Sequence, residues 1–166
     1  NGLLKICDNA LLSYKKCAMI KTNVNKIGEL SMKRHEARQK ALQALFQLDN
    51  TELLLEEAMD HALERSFEEE AQPAYDAFFE QLVRGTTEHK ETIDEQLSAK
   101  LENWSLSRLP KIERTVLRMA VYELQFSNDA PDGVVVNEAI ELAKTFGDEK
   151  SSKFVNGVLS KFIETK

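Results

Sequence analysis

The sequence predicts an all-α protein of about seven helices with no β-sheet. Leu, Ala, Glu, Lys and Gln dominate the 166 residues, while glycine (6) and proline (3) are scarce. That mixture favours helix over strand or loop. Apolar residues recur at the helical period along most of the chain. The stretch that reads as strand, Val134-Val135-Val136, finds no partner strand.

Taken in order, Ala37, Ala41, Ala44, Leu45 and Leu48 form the stripe of a first helix beginning near Lys33. Asp49-Asn50-Thr51 interrupts it. Thr51 is expected to cap a second helix with Leu54, Leu55, Ala58, Ala62 and Leu63 on one side and Glu52, Glu56, Glu57, Asp60 and Glu64 on the other. Gln72-Pro73 marks a third, with Ala74, Ala77, Phe78, Leu82 and Val83 along it, and Gly85 is expected to end or bend it. Ile93, Leu97, Leu101 and Trp104 share one face of a fourth. Residues 107–110 open a fifth, with Ile112, Val116, Leu117, Ala120, Val121 and Leu124 inward.

Residues 127–133 carry the strongest loop signal, a cluster of Asn128, Asp129, Pro131 and Gly133. The three valines are expected to form an irregular entry into a sixth helix with Ala139, Ile140, Leu142, Ala143 and Phe146, and Gly147 as its C-terminal cap. Ser151 starts a last helix with Val155, Val158, Leu159 and Phe162 inward. No repeat of solenoid period is visible.

The length fits one domain or two small packed halves. Hydrophobic residues make up 42% of the chain, enough for a core. The net charge of −6 means that any nucleic-acid contact must use a local basic patch or a partner. No apolar run is long enough for a transmembrane helix. Cys7 and Cys17 form no metal-ligand spacing with histidine, and a disulfide scaffold is not credible at this size, so a reducing cytoplasm is the expected compartment.

Residues 1–31 differ from the rest. They hold both cysteines and a net charge of +3, against −9 for residues 32–166. The chain opens on Asn1, so Met32 is the expected natural start. Residues 1–31 are then a poorly structured upstream extension, and 32–166 the functional domain.

Enzyme readings fare poorly. His35, His61 and His89 have no second ligand at metal spacing. Six glycines assemble no phosphate-binding loop, and there is no Gly-x-Ser-x-Gly elbow. No catalytic residue, metal or cofactor is expected.

The sharper signal is basic. Lys33, Arg34, Arg38 and Lys40 crowd the start of the first helix, and Arg34 and Arg38 are i, i+4 neighbours. Positive charge at a helix N-terminus costs roughly 0.3–1 kcal/mol per charge. A polyanion partner would account for it; so would an ordinary charged helix end. A second feature lies at the last helix. Phe154 sits about 100° round the helix from inward Val155, beside Lys153, where a ring can stack an unpaired base. Core packing is the commoner fate of phenylalanine. Gly157 inside that helix suggests close approach of another backbone.

Four motifs in order resemble the NusB family of bacterial transcription antitermination factors, from about Met32 to Ile163. They are Ala37-Arg38 through Ala41-Leu42-Gln43-Ala44-Leu45-Phe46; Ile112-Glu113-Arg114 with Leu117-Arg118-Met119-Ala120-Val121-Tyr122-Glu123-Leu124; Asn137-Glu138-Ala139-Ile140-Glu141-Leu142-Ala143-Lys144; and Lys153-Phe154-Val155-Asn156-Gly157-Val158-Leu159. The resemblance implies two packed helical subdomains. It implies binding of boxA RNA, a single-stranded signal of ribosomal RNA leaders, together with NusE, a small-subunit ribosomal protein. Other Nus factors and RNA polymerase follow as partners, and some relatives self-associate into homodimers. It places RNA contacts on Lys33, Arg34, Arg38, Phe46, Lys153 and Phe154, and a protein-partner interface on Arg108 and Glu113. His35, Glu36 and Lys40 make the basic start weaker than the family's usual version.

Two alternatives stay open: a NusB-like RNA-binding module without an antitermination role, and a helical protein-interaction adaptor. N-terminal sequencing of the native protein is expected to find Met32; an authentic terminus upstream of it defeats the extension reading.

Overall fold

A computed structural model describes residues 32–65, 74–101, 104–127 and 129–164. Residues 1–31 and Pro73 lie outside the described residues, so the expectations placed on them have no structural counterpart. Seven α-helices follow in order: α1 (Arg34–Asn50), α2 (Leu55–Ala62), α3 (Ala77–Glu88), α4 (Lys90–Lys100), α5 (Lys111–Gln125), α6 (Asp132–Phe146) and α7 (Glu149–Ile163). A short 3-10 turn, Leu106–Arg108, precedes α5. No strand occurs among the described residues.

Two groups of helices meet on α5. The first is α1, α2 and α3; the second is α6 and α7, with α4 bracing the other side of α5. Helix α5 touches α1, α3, α4, α6 and α7, and 11 of its 15 residues are buried. One continuous apolar core results. Leu42, Met59, Phe79, Leu82, Ile93, Leu97, Leu117 and Leu159 are sealed within it.

Helix ends depart from expectation where side-chain chemistry decides them. Thr51 closes α1 instead of opening α2: its N–H and hydroxyl both donate to the Gln47 carbonyl. Helix α2 starts after Leu54, whose N–H reaches the Glu57 carboxylate at 2.9 Å. Asp76 caps α3 by accepting from the N–H groups of Phe78 and Phe79, and from Met32 N–H as well. Gly85 does not end α3. Its missing side chain makes room for the Tyr122 ring, which lies 2.1 Å from where a Cβ would stand.

Trp104 is not on α4, which stops at Lys100 with Leu101 as its cap. The three valines enter α6 as regular helix behind Pro131, with Val135 and Val136 buried and Val134 exposed. Gly147 caps α6 as expected. Helix α7 begins two residues before Ser151, capped by Asp148, which accepts from Ser151 N–H at 2.7 Å. Gly157 faces open space, so no backbone approaches it.

The core also holds charge. The Arg38 guanidinium donates to both carboxylate oxygens of Glu123 at 2.7–3.1 Å, and both side chains are almost fully buried. Glu138 stands 3.5 Å away on α6. Arg38→Met should therefore strand the Glu123 charge and cost about 3–5 kcal/mol in urea unfolding, with Arg38→Met/Glu123→Leu recovering most of it. A loss under about 1 kcal/mol in the single variant is what an exposed pair would give, and it would contradict this arrangement.

Candidate nucleic-acid interface

At the start of α1, Lys33 and Arg34 are exposed. The Arg34 guanidinium lies 4.4 Å from the centre of the Phe78 ring, a cation–π contact that holds it in place. Arg38 reaches the same ring at 5.1 Å, so the two arginines converge as their spacing implies. They differ in availability. Arg38 is 2% exposed and spends its donors on Glu123, so its assignment as a phosphate contact is corrected to a structural one. His35 is exposed, but its Nδ1 pairs with Glu138 at 2.8 Å. Asp129 has a lowered pKa through the Ser127 hydroxyl and Gln81, with the Arg34 charge contributing last.

At the start of α7, Lys153 is exposed and Phe154 is half-buried against the core. The Trp104 ring meets Phe154 edge-on, with centroids 6.3 Å apart and planes at 67°. Trp104 itself is 60% exposed. Phe46, near the end of α1, is half-buried. No ring pair joins Phe46 to Phe154 among the described residues. Arg34 and Phe46 are one face-length apart on α1, about 18 Å along its axis. The basic tip and Phe46 thus belong to opposite ends of α1.

The partner residues also separate. Arg108 is exposed on the 3-10 turn. Glu113 is buried to 9% exposure, and its carboxylate accepts from the Ser151 hydroxyl at 2.6 Å across the α5–α7 seam.

Beside Trp104 lies an ion cluster that no single segment of the sequence reveals. Arg118 donates to both oxygens of Asp94 at 2.7 Å and to Asp49. Lys90 reaches the other Asp49 oxygen at 2.7 Å, and Arg114 Nε is 3.9 Å from Asp49 without a hydrogen bond of its own. Burial pushes the Asp49 carboxyl up. The Lys90 hydrogen bond and the charges of Arg118, Lys90 and Arg114 outweigh it and leave the pKa below the ordinary value. Burial likewise works against the Arg118 charge, and its two carboxylates more than restore it. Among the described residues no group of His, Cys, Asp and Glu could hold a metal ion. None of the described helices is long and apolar enough to cross a membrane.

An all-helical body presenting arginine, lysine and accessible rings on a negative background defines a class: helical nucleic-acid-binding adaptors. Comparison narrows it. The NusB family profile matches residues 35–164. The chain is 64% identical over 133 residues to the transcription antitermination protein NusB of Lysinibacillus sphaericus, covering 80% of this chain and 98% of that protein. It is 53% identical over 129 residues to NusB of Bacillus subtilis, covering 78% and 93%. Among solved structures it is similar to T. maritima NusB, with TM-score 0.69 and 34% identity over 81% of this chain and 93% of that one. It is also similar to a chain in the crystal structure of antitermination factors NusB and NusE with dsRNA, with TM-score 0.68 and 32% identity over 80% and 97%. The chain belongs to the NusB family.

Asp49 supplies a pH test. Because its carboxyl is held below the ordinary value in the folded chain, its stabilising share is present above about pH 4 and is lost as pH falls further. Asp49→Asn should be less stable than the parent at neutral pH in urea unfolding, and the gap should narrow at about pH 3. An equal gap at both pH values would show that Asp49 gains nothing from its cations.

Proposed function

We propose that this chain, an antitermination factor of the NusB family, binds single-stranded boxA RNA together with a NusE-type ribosomal protein, and carries no catalytic step itself. The observation that carries the reading is the start of α7. An exposed Lys153 stands beside a ring, Phe154, that is only half-covered by the core. Lysine takes a phosphate, and the free ring face takes an unstacked base.

Lys33 and Arg34 add phosphate contacts at the far end of α1, and Phe46 offers a further ring near its close. Phosphate contacts position the strand, while base contacts give the sequence preference. Arg38 leaves this set and instead fixes the helix that carries it. Arg108 is the exposed member of the partner surface. Glu113, engaged by Ser151, supports that surface from beneath. Residues 32–166 form the binding unit, in a transcribing cytoplasm, where RNA polymerase and other Nus factors complete the assembly.

A related structure pairs NusB and NusE with dsRNA. The rings here favour unpaired RNA, since a base inside a duplex has no free face to stack on. The test is RNA binding across a salt series, with single-stranded boxA RNA and its duplex, with and without NusE. Single-stranded boxA RNA should bind more tightly than the duplex, and NusE should strengthen it. Arg34→Ala should reduce the logarithmic salt slope by about 0.7. Phe154→Ala should cost about 1–3 kcal/mol in binding while the helical signal persists, and Phe154→Leu, which keeps core volume, should lose nearly as much. Equal affinity for duplex and single strand, or unfolding of both Phe154 variants, would overturn the reading.

A further inference from the structure

A cavity of about 450 Å³ opens between α4, the α4–α5 connection and the start of α5. Its size falls within the range of small-molecule sites, roughly 300–1,000 Å³. Trp104 stands at it with 60% of its surface free, and Ser105, Ser107, Arg114 and Arg118 line it with Asp94. Tryptophan is rarely left this exposed without a contact to make, because it carries the largest apolar surface of any side chain.

Two arginines, Arg114 and Arg118, line the cavity with one carboxylate, Asp94. Lys90 and Asp49 belong to the same ion cluster but not to the cavity lining. Arg118 takes both oxygens of Asp94 and one of Asp49, and Lys90 takes the other. Arg114 is the less engaged of the two arginines. Its Nε is buried 3.9 Å from Asp49 without a hydrogen bond, and the side chain, 18% exposed, lines the cavity. The terminal nitrogens of such a guanidinium are donors for an anionic oxygen. The Ser105 and Ser107 hydroxyls pair at 2.7 Å, which uses one hydroxyl hydrogen and leaves the other to donate outward. Trp104 also continues the Phe154 ring, so the cavity adjoins the strand described above.

We propose that this cavity binds one nucleotide of the single-stranded RNA, with its base stacked on Trp104 and its phosphate on Arg114. The inference rests on the RNA-binding reading and adds a subsite to it. It gives the Phe154 ring a neighbour, so that two successive bases find a stacking surface. It also gives the ring end of the molecule a second phosphate contact beside Lys153.

Trp104 is the single tryptophan of the chain, so its fluorescence reports on this site alone. The experiment titrates the full chain with fluorescein-labelled single-stranded boxA RNA, following RNA anisotropy and tryptophan emission together. Binding should quench the emission along the same curve as the anisotropy. Trp104→Ala should weaken binding about five- to a hundredfold, and Trp104→Phe, which keeps a ring, by much less. Arg114→Gln should lower the logarithmic salt slope by about 0.7, with the slope kept in Arg114→Lys. RNA that binds with unchanged emission and equal affinity for Trp104→Ala overturns the subsite and leaves the RNA-binding reading standing. No anisotropy change at all overturns both.

Discussion

The structure depends on how α5 carries charge through the core. A helix buried on nearly every side must still place Glu113, Arg118 and Glu123 somewhere, and unpaired charge in a protein interior is prohibitive. Each finds its partner on a neighbouring helix: Glu123 on α1, Arg118 on α4 and the end of α1, Glu113 on α7. The α1 contacts fall at opposite ends of α1, and at the middle and the end of α5. Arg38, near the start of α1, meets Glu123 near the end of α5; Asp49, near the end of α1, meets Arg118 closer to the start of α5. Apolar packing alone is non-directional and tolerates a helix sliding past its neighbour. Two directional pairs, one at each end of α1, allow a single antiparallel register. That register brings the end of α1 beside the cavity wall.

Much of this was legible in the sequence because helical periodicity is a strong signal. The seven helices of the described residues are where apolar recurrence placed them, and the departures are at ends decided by side-chain caps such as Asp76 and Asp148. Arg38 shows what composition hides. A basic residue near a helix start reads as a phosphate contact, yet Arg38, Leu42 and Leu45 stand at i, i+4 and i+7, a second edge of the inward stripe. Glu123 stands likewise with Val116 and Ala120 on α5. One arginine and one glutamate, each at an inward position of its own helix, are a matched signal that a count of surface charge overlooks.

Trp104 failed in the opposite direction. Its spacing from Leu97 and Leu101 continues an apolar face, which holds only while the helix continues. Lys100 ends it. The serines on either side of Leu106 and the proline at 110 marked a connection, in which a large ring has no helix face to lie on. Phe78 reads as another apolar member of α3, and it does touch the core, but its ring also meets the Arg34 and Arg38 guanidinium groups. Neither role is visible in one segment, because each depends on a residue from another helix.

Acidity and RNA affinity are compatible here because charge acts locally. Residues 32–166 carry a net charge of −9, but at physiological salt the field of an exposed charge fades over about 8 Å. A phosphate therefore responds to the groups it touches and those next to them. Several acidic residues are also engaged: Glu56 with Arg84, Glu64 with Lys40, Asp94 with Arg118. Near the rings, Lys153 stands exposed at the surface, and Arg114 at the cavity wall is held only by a 3.9 Å ion pair with Asp49. A site of this kind attracts weakly from a distance and holds by contact. On the proposed reading, such a surface would discriminate by the reach of its rings and a few well-placed cations, and a basic partner that covered the remaining carboxylates would strengthen it without altering a single contact to the RNA.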